Sequence, residues 1–445
     1  MNGETDRLLI FARLPKAGAN KTRLIPALGA QNATLVYRQL VDQTLSQARQ
    51  LANEQCPREL GCQATVCYTG GPACEIRAAF GDDLTYCEQV GHTLGDRLQH
   101  ATKSAFDAGA KRVVVIGTDC PSLTSSDLRT AFKQLEAHDV VIGPAQDGGY
   151  YLIGLNAEHA SLFANIDWST SQVLEQTLQK TREQELRVHQ LRMLSDVDYP
   201  EDLLPLRRDA DCHLLPLQTI AGKLSVIIPT LNEEMSLQRA LDSVGLPSDS
   251  LEVIVVDGGS SDHTIQIAQC HGCKVFTGNP GRAYQMNAGA AIATGEHLLF
   301  LHADTRLPKD YRIEIERVLG TPVACGAFPL QIDAPGFALR MVESGVAIRS
   351  GLLQMPYGDQ ALFFRSADFY AQNGFKQMSI MEDYELVVRM RKIGRIGLAS
   401  EPVRTSARRW MKKGILRTTF VNQLCVVAYK LGFSDSTIAR LYRGR

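Results

Sequence analysis

Apolar residues along this chain alternate between short continuous runs and longer stretches with helical spacing. The first half has continuous runs, typical of buried strands, at residues 8–12, 113–116 and 140–142. Apolar positions recur at helical spacing over residues 32–53, 125–137 and 172–185. This alternation predicts a mostly parallel sheet with helices on both faces.

The same order restarts at residue 224. Strands are predicted at residues 224–229, 251–256 and 298–301, and helices at 236–244, 264–270 and 283–293. Residues 203–222 contain Pro205 and Pro216 and have no clear period. We therefore predict an α/β domain over 1–205, a linker over 206–222 and a second α/β domain over 223–445, ending in a basic helical tail.

An acidic residue follows one apolar run in each half. Asp119 comes after the run at 113–116, and Asp304 comes after the run at 298–301. Ligands of open α/β sheets bind beyond the carboxyl ends of the strands. A carboxylate at that edge can hold a hard divalent cation against phosphate groups. The pattern predicts two nucleotide-handling domains of similar architecture.

Charge and cysteine content limit the partners. The 445 residues carry a net charge of −1, which gives no nucleic-acid signature. From Glu401 onward ten Lys and Arg face two acids, a net +8, so the preceding 400 residues carry −9. Eleven Cys, a polar N-terminus and the lack of a long apolar run predict a cytoplasmic protein with reduced thiols. The basic tail leaves peripheral membrane contact as one hypothesis.

Four clusters in the second half carry a family resemblance. They are Pro229-Thr-Leu-Asn-Glu-Glu234, Val255-Val-Asp-Gly-Gly-Ser-Ser-Asp262, His302-Ala-Asp304 and Met381-Glu-Asp-Tyr384. Together they resemble the family 2 glycosyltransferases of the GT-A fold over about residues 223–400. The loop Gly281-Arg-Ala-Tyr-Gln-Met-Asn287 and the segments around 356–360 and 406–410 resemble one soluble subgroup of transferases associated with radical-SAM proteins.

The resemblance implies a role for each matching residue. It makes Asp383 the base of an inverting transfer and Asp304 the ligand of Mg²⁺ or Mn²⁺, with His302 in place of the first acid of the family motif. Acids at a helix N-terminus are the alternative interpretation of Glu382 and Asp383. Nucleotide or substrate binding is expected at Asn232, Glu233, Asp257, Asp262, Arg282, Asn287, Asp359 and Glu382.

A basic, glycine-bearing loop follows the first predicted strand. Phe11-Ala-Arg-Leu-Pro-Lys-Ala-Gly-Ala-Asn-Lys-Thr-Arg-Leu24 can surround phosphate oxygens with N–H groups and positive charge. With the segments at 95–98, 117–123 and 146–151, it resembles nucleotidyltransferases such as the molybdenum-cofactor and 2-phospholactate guanylyltransferases, and an uncharacterised family grouped with them. The loop lacks the GGxSxRMGxxK form of sugar-phosphate nucleotidyltransferases.

This second resemblance implies a nucleoside triphosphate site. Arg13, Lys16, Lys21 and Arg23 are expected to bind phosphates, with Lys21 and Arg23 acting in catalysis. Asp119 is expected to hold the metal, and Asp147 and Gly148 to lie across the pocket near the substrate.

Three hypotheses for the whole chain follow. The first is a bifunctional enzyme that joins a nucleoside triphosphate to a sugar phosphate and then transfers a sugar from a nucleotide sugar to a small acceptor. The second is a single glycosyltransferase whose N-terminal domain only binds nucleotide or organises the assembly. The third is glycosylation of a lipid at the membrane surface, with the basic tail on anionic lipid.

Overall fold

The computed structural model describes residues 5–54, 62–208 and 217–443. The chain divides into two compact units, Met1–Asp198 and Tyr199–Arg445.

The first unit is built on a seven-stranded sheet. Its strands are β1 (Thr5–Arg13), β2 (Gln63–Thr69), β3 (Thr85–Glu88), β4 (Ala110–Ile116), β5 (Val140–Pro144), β6 (Tyr150–Leu155) and β7 (Val188–Gln190). Their order across the sheet is β3-β2-β1-β4-β6-β5-β7. Only β6 runs antiparallel to its neighbours in this sheet.

Helices cover both faces of this sheet. They are α1 (Ile25–Glu54), α2 (Ala73–Phe80), α3 (Leu94–Asp107), α4 (Ser125–Gln134) and α5 (Val173–Glu183). Alternate residues of β1 point to opposite faces, because side chains along a strand alternate. Leu8 and Ile10 therefore pack with α1, α2 and α4, whereas Leu9 packs with α3 and α5.

The second unit repeats this plan. Its strands are β8 (Ile220–Thr230), β9 (Leu251–Asp257), β10 (Lys274–Thr277), β11 (Gly295–Phe300), β12 (Thr305–Arg306), β13 (Val323–Ala327), β14 (Leu330–Ile332), β15 (Phe363–Arg365), β16 (Arg395–Leu398) and β17 (Val403–Thr405). The large sheet has the order β10-β9-β8-β11-β15-β13-β16, and β12-β17-β14 form a small second sheet. Here β15 is the antiparallel strand.

Helices also lie on both faces of the second large sheet. They are α6 (Leu204–Arg207), α7 (Glu234–Val244), α8 (Thr264–Cys270), α9 (Arg282–Ile292), α10 (Tyr311–Leu319), α11 (Phe337–Gly351), α12 (Ser366–Ala371), α13 (Glu382–Ile393), α14 (Arg408–Lys413), α15 (Ile415–Lys430) and α16 (Asp435–Arg443). One core joins the sheet to α7, α8 and α10. On the other face α9 approaches closely, since a Cβ on Gly289 would lie 2.5 Å from Ile227 Cγ2.

The two large sheets have the same strand order, position by position. In each, the strand that precedes the key acid, β4 or β11, lies between the first strand of its unit and the antiparallel strand. The predicted fold class, two GT-A/Rossmann-like α/β units, is confirmed. The elements α10, α11 and α12 were not predicted from the sequence, where the apolar periodicity weakens after residue 310.

The boundary between the units lies earlier than the predicted one. Residues 199–205, which the sequence analysis assigned to the first domain, belong to the second unit, where the short helices at Pro200–Leu203 and Leu204–Arg207 contact α9. Part of the predicted linker, residues 209–216, lies outside the described residues. Residues 220–222, the last three of the predicted linker, form the beginning of β8, which starts at Ile220.

None of the described helices combines the length and the apolar character that a membrane-spanning segment requires.

Candidate functional site

A cleft of about 710 Å³ opens at the carboxyl ends of the central strands of the second unit. Its walls come from the ends of β8 and β11 and from the N-terminal turns of α9 and α13. The helices α14, α15 and α16 supply a further wall. Segments more than 200 residues apart in the chain therefore meet around one cavity.

Asp304 lies in this cleft, just beyond the end of β11. Its side chain is 27% exposed, and its Oδ2 atom lies 4.0 Å from Arg408 Nη2. The same guanidinium group donates to both carboxylate oxygens of Glu233, at 2.8 and 3.0 Å. Burial and the nearby charge of Glu233 raise the pKa of Asp304. The single positive charge of Arg408 is thus shared by the carboxylates of Glu233 and Asp304. A divalent cation at Asp304 would neutralise the negative charge that remains.

Asp383 projects into the same cleft from the first turn of α13. Its Oδ2 accepts the N–H of Gly358 at 2.6 Å, and its Oδ1 accepts the N–H of Tyr384 at 2.7 Å. These two bonds fix the orientation of the carboxylate. Gly358 is confined, because a Cβ there would lie 3.0 Å from Asp383 Oδ2 and 3.1 Å from His302 Nε2.

His302 completes this corner of the cleft. Burial and the positive charge of Arg282 lower the pKa of His302 to about 4. The imidazole is therefore neutral near pH 7, in the place where the family motif has an acid.

Glu382, the acid next to Asp383 on α13, forms an ion pair inside the wall of the cleft. Glu382 is 2% exposed, and its Oε1 lies 2.9 Å from Nε of Arg282. Burial raises the pKa of Glu382, and the Arg282 charge opposes that rise. Arg282 lines the cleft and Glu382 does not. Glu382 was predicted to bind substrate; in the structure it anchors Arg282 instead.

The C-terminal helices form the side of the cleft opposite the sheet. Trp410 and Lys412 of α14, Asn422 of α15 and Tyr442 of α16 line it. The guanidinium of Arg409 stacks over the Tyr442 ring at 4.0 Å. The basic segment predicted as a tail is therefore part of the cleft wall. Asp359, predicted on the acceptor side, also lines the cleft, and one of its carboxylate oxygens, Oδ1, is buried without a hydrogen-bond partner.

Three residues predicted to bind nucleotide instead stabilise the turns beside the cleft. Asp257 is fully buried, and Gly259 and Ser260 donate their N–H groups to its Oδ2. Asp262 accepts from the N–H groups of Thr264 and Glu234. Asn232 has a left-handed backbone (φ 54°), and its Oδ1 accepts the N–H of Ser261. None of the three lines the cleft.

Asn287 is also placed differently from its prediction. It is 4% exposed on α9 and does not line the cleft. Its side-chain amide donates to the carbonyl of Phe375 at 2.7 Å and accepts the N–H of the same residue at 2.9 Å. Both ends of the amide are used in holding the 370s loop onto the helix.

The first unit has a cleft of about 690 Å³ at the corresponding edge of its sheet. Five residues predicted for this site line it: Arg13, Lys21, Arg23, Asp119 and Asp147. The cleft also contains Asp196 and Asp198, which follow β7. A backbone bond from Val197 N–H to the carbonyl of Asp119 holds that segment beside the end of β4.

Lys21 is the buried cation of this acidic cleft. Its Nζ lies 2.9 Å from Asp119 and 3.2 Å from Asp198, and its side chain is only 5% exposed. Burial lowers the pKa of Lys21, but the charges of Asp119 and Asp198 outweigh that and raise it overall. Arg23 makes a further ion pair with Asp198 at 2.5 Å. Lys21 thus bridges the predicted metal ligand Asp119 and an acid that the sequence analysis had not assigned to the site.

The acids of this cleft outnumber the cations that pair with them. Burial, followed by the charges of Asp147 and Asp198, raises the pKa of Asp196 to about 6. Excess negative charge of this kind favours a divalent cation or a cationic group of a ligand.

Two predicted residues of the first unit do not line its cleft. Lys16 is 51% exposed and lies 3.7 Å from Glu75. Gly148 has φ 91°, and a Cβ there would lie 2.3 Å from the carbonyl oxygen of Ser171. Its role is to let two backbone segments approach, whereas its neighbour Gly149 lines the cleft.

Comparison with protein families gives one match in each unit. Residues 51–170 match a family described as an uncharacterized protein conserved in bacteria (DUF2064). Residues 225–371 match the model described as glycosyl transferase family 2. The C-terminal unit contains a family 2 glycosyl transferase domain.

Several curated proteins that are similar to part of this chain are glycosyltransferases. A 4,4'-diaponeurosporenoate glycosyltransferase of Staphylococcus haemolyticus is 36% identical over 99 residues, 20% of this chain and 26% of the relative. A PGL/p-HBAD biosynthesis glycosyltransferase of Mycobacterium bovis is 38% identical over 100 residues, again 20% of this chain and 37% of the relative. The chain thus spans between a quarter and two fifths of the length of these two relatives.

Solved structures are similar over about half of the chain. A putative nucleotide-diphospho-sugar transferase from Desulfovibrio desulfuricans G20 is 33% identical, with a TM-score of 0.43 over 47% of this chain and 88% of the other. A mannosyltransferase from Pyrobaculum calidifontis, solved with GDP-Man and Mn²⁺, is 18% identical, with a TM-score of 0.38 over 54% of this chain and 77% of the other.

Sequence reasoning missed several residues of the two clefts. Asp196 and Asp198 follow a strand of the parallel set, as Asp119 does, and that position was the available signal. In the glycosyl transferase unit, Asn422 and Tyr442 come from helices beyond all of the recognised segments. No spacing rule links them to Asp304, so only the folded chain reveals their position.

Proposed function

We propose that the C-terminal unit transfers a sugar from a nucleotide diphosphate sugar to an acceptor hydroxyl with inversion at the anomeric carbon. The observation that carries this proposal is the pairing, in one cleft, of an oriented carboxylate, Asp383, with a strand-end carboxylate, Asp304. The match of this unit to glycosyl transferase family 2 supports the same reaction.

Asp383 is the base in this proposal. Its carboxylate accepts the proton of the acceptor hydroxyl as the acceptor oxygen bonds to the anomeric carbon and the bond to the diphosphate oxygen breaks. The neutral His302 beside it adds no competing charge. The N–H groups of Gly358 and Tyr384 hold the carboxylate in place before the substrates bind.

Asp304 is the residue proposed to hold Mg²⁺ or Mn²⁺. Among the residues that the structure describes, no group of three or more His, Cys, Asp or Glu side chains forms a metal site. A cation at Asp304 would therefore need its other ligands from substrate phosphates and water, as Mg²⁺ commonly has. A bound cation would neutralise charge on the departing diphosphate. Arg282 and Arg408 line the same cleft and can contact phosphate oxygens.

A ligand screen tests the donor class. We expect a nucleotide diphosphate sugar with Mn²⁺ or Mg²⁺ to raise the melting temperature by about 5 °C at a hundredfold excess over Kd, because the ligand stabilises only the folded state. The measurement is a thermal-shift assay on the full chain, with and without EDTA. Failure of every nucleotide sugar to shift the transition in either condition would contradict the proposal.

A second prediction concerns the positioning of the base. Gly358→Ala places a methyl group against Asp383 and His302, and the two N–H bonds leave Asp383 little room to move. We expect turnover to fall about tenfold or more, since small misplacements of reacting groups are costly. Gly345→Ala in α11 is the matched control, because no atom lies within 4 Å of its Cβ position. Equal turnover in both variants would argue against Asp383 as a positioned base.

For the N-terminal unit we propose metal-dependent nucleotidyl transfer to a sugar phosphate or a similar small phosphate. The observation that favours it is the buried Lys21 between Asp119 and Asp198, in a cleft with further acids. Phosphate oxygens can take over the contacts of Lys21, and a divalent cation can then bind the freed carboxylates. Lys21 and Arg23 act on the phosphates in this proposal. The alternative is a unit that binds nucleotide without catalysis, and release of pyrophosphate separates the two.

A further inference from the structure

Two neighbouring helices of the C-terminal unit carry a row of exposed large apolar side chains. We call these side chains the apolar face. It is defined by Phe337, Met341, Ile348 and Leu352 on and at the end of α11, and by Leu416, Phe420, Leu424, Val427 and Leu431 on and at the end of α15. Their side chains are 37–86% exposed.

The spacing shows that each helix contributes one continuous stripe. Intervals of four, seven and four residues on α11, and of four, four, three and four on α15, keep the side chains on one side of a helix. The two helices contact each other. Their opposite sides pack on the same core, through Leu339 and Val342 of α11 and Ile415 of α15. Both stripes therefore point away from that core.

Both helices are apolar on two sides, although the residues that the structure describes cover only one of these sides. A helix of that kind is ordinarily buried all round. Contiguous exposed apolar surface on this scale marks an interaction site in soluble proteins. The apolar face is therefore expected to bind a partner, because the described residues leave it exposed.

The charge of the residues next to the apolar face indicates which kind of partner it binds. On α15, Arg417 and Lys430 are exposed and no Asp or Glu accompanies them, whereas Arg408, Arg409 and Lys412 of α14 line the cleft. On α11, Arg340 is paired with Glu343, and Arg349 is held by Gln360 and the Tyr357 ring, so neither contributes free positive charge. A second copy of the chain would bring two such positive segments together, which is unfavourable. An anionic lipid surface offers both opposite charge and an apolar layer for the exposed side chains.

We infer that the apolar face docks the C-terminal unit on an anionic membrane surface, with α11 and α15 lying in the interface. Arg417 and Lys430 contact lipid headgroups, and side chains such as Leu416 and Phe420 enter the acyl boundary. Residues of α14 and α15 also line the cleft, so this docking brings the cleft close to the membrane.

Flotation of the full-length protein with lipid vesicles tests the inference. We expect binding to vesicles of phosphatidylcholine with phosphatidylglycerol at low salt, and much weaker binding to phosphatidylcholine alone. The double variant Leu416→Ser, Phe420→Ser should weaken binding about tenfold or more, because binding scales with the apolar area inserted. Neither residue lines the cleft, so donor binding should be unchanged.

Matched variants separate the face from general surface effects. Leu246→Ser with Ile313→Ser removes two side chains that are 70% and 64% exposed elsewhere in the unit, and it should bind vesicles like the unchanged protein. Arg417→Gln with Lys430→Gln should weaken binding about tenfold at low salt and lose most of that difference at high salt.

Three outcomes would overturn the inference. One is no binding to the anionic vesicles, and another is equal loss in the Leu246/Ile313 control. The third is a dimer, seen by light scattering, that the Leu416/Phe420 variant dissociates, which would assign the face to self-association. A thermal shift with nucleotide sugars on the same samples reports donor binding separately, so failure of docking and failure of the proposed transfer are distinguishable.

Discussion

Replacing Asp383 by Asn is expected to lower the turnover of glycosyl transfer by about 10²-fold or more, the range of general-base catalysis. Asn keeps the size of the side chain and removes its basicity. The side chain projects into the cleft from the first turn of α13 and is not part of the core, so the fold should persist. The measurement is turnover with saturating donor, together with the donor-induced thermal shift, which should stay close to that of the unchanged protein.

The control for this variant is Asp249→Asn, which changes an exposed carboxylate in a loop outside the cleft. It should leave turnover unchanged. Asn at position 383 retains one acceptor oxygen for two N–H donors, and circular dichroism checks that the loop and helix remain folded. Near-normal turnover of Asp383→Asn would refute the assignment and direct attention to Asp359, the other acid that lines this part of the cleft.

Asp304→Ala and Asp119→Ala are expected to abolish different reactions. Asp304→Ala should reduce glycosyl transfer from a supplied nucleotide sugar by at least about 10²-fold, because it removes the carboxylate proposed to hold the cation. Asp119→Ala should leave that reaction intact and abolish nucleotidyl transfer. The reason is that each acid lies at the strand ends of its own sheet. Both purified variants are assayed for glycosyl transfer and for nucleotidyl transfer.

Both variants should fold, since Asp304 and Asp119 are 27% and 45% exposed and neither belongs to a core. Circular dichroism is the control. In Asp119→Ala, Lys21 keeps its ion pair with Asp198. If this variant changes no catalytic step and no nucleotide binding, the N-terminal unit is not a nucleotidyltransferase, and the hypothesis of a single glycosyltransferase replaces the bifunctional one.

The repeated strand order gives these proposals a common structural basis. Asp119 and Asp304 follow equivalent strands, β4 and β11, in two sheets with the same order. The surrounding charges differ. In the first unit Asp119 pairs with the buried Lys21, whereas in the second Asp304 lies near an arginine that also holds Glu233. One architecture thus presents its strand-end acid in two electrostatic settings, which fits two different reactions on nucleotides.

Much of the fold could be predicted because the signal is local. The helix predicted at 283–293 is α9 over Arg282–Ile292, and the strand predicted at 251–256 is β9 over Leu251–Asp257. Continuous apolar runs and helical spacing are properties of neighbouring residues, so the sequence carries them directly. The prediction failed where helices such as α11 are apolar on both sides, because no periodicity then distinguishes them.

By itself the sequence determined the class of fold, its duplication, and the position of Asp119 and Asp304 at strand ends, since each follows from short-range pattern. Only the tertiary structure decided which polar groups are available. Whether a carboxylate such as that of Asp257 faces a ligand or holds a turn depends on which N–H groups the folded loop brings to it. Likewise, Tyr442 joins its cleft only through contacts made by a segment distant in the chain, and such contacts leave no local pattern in the sequence.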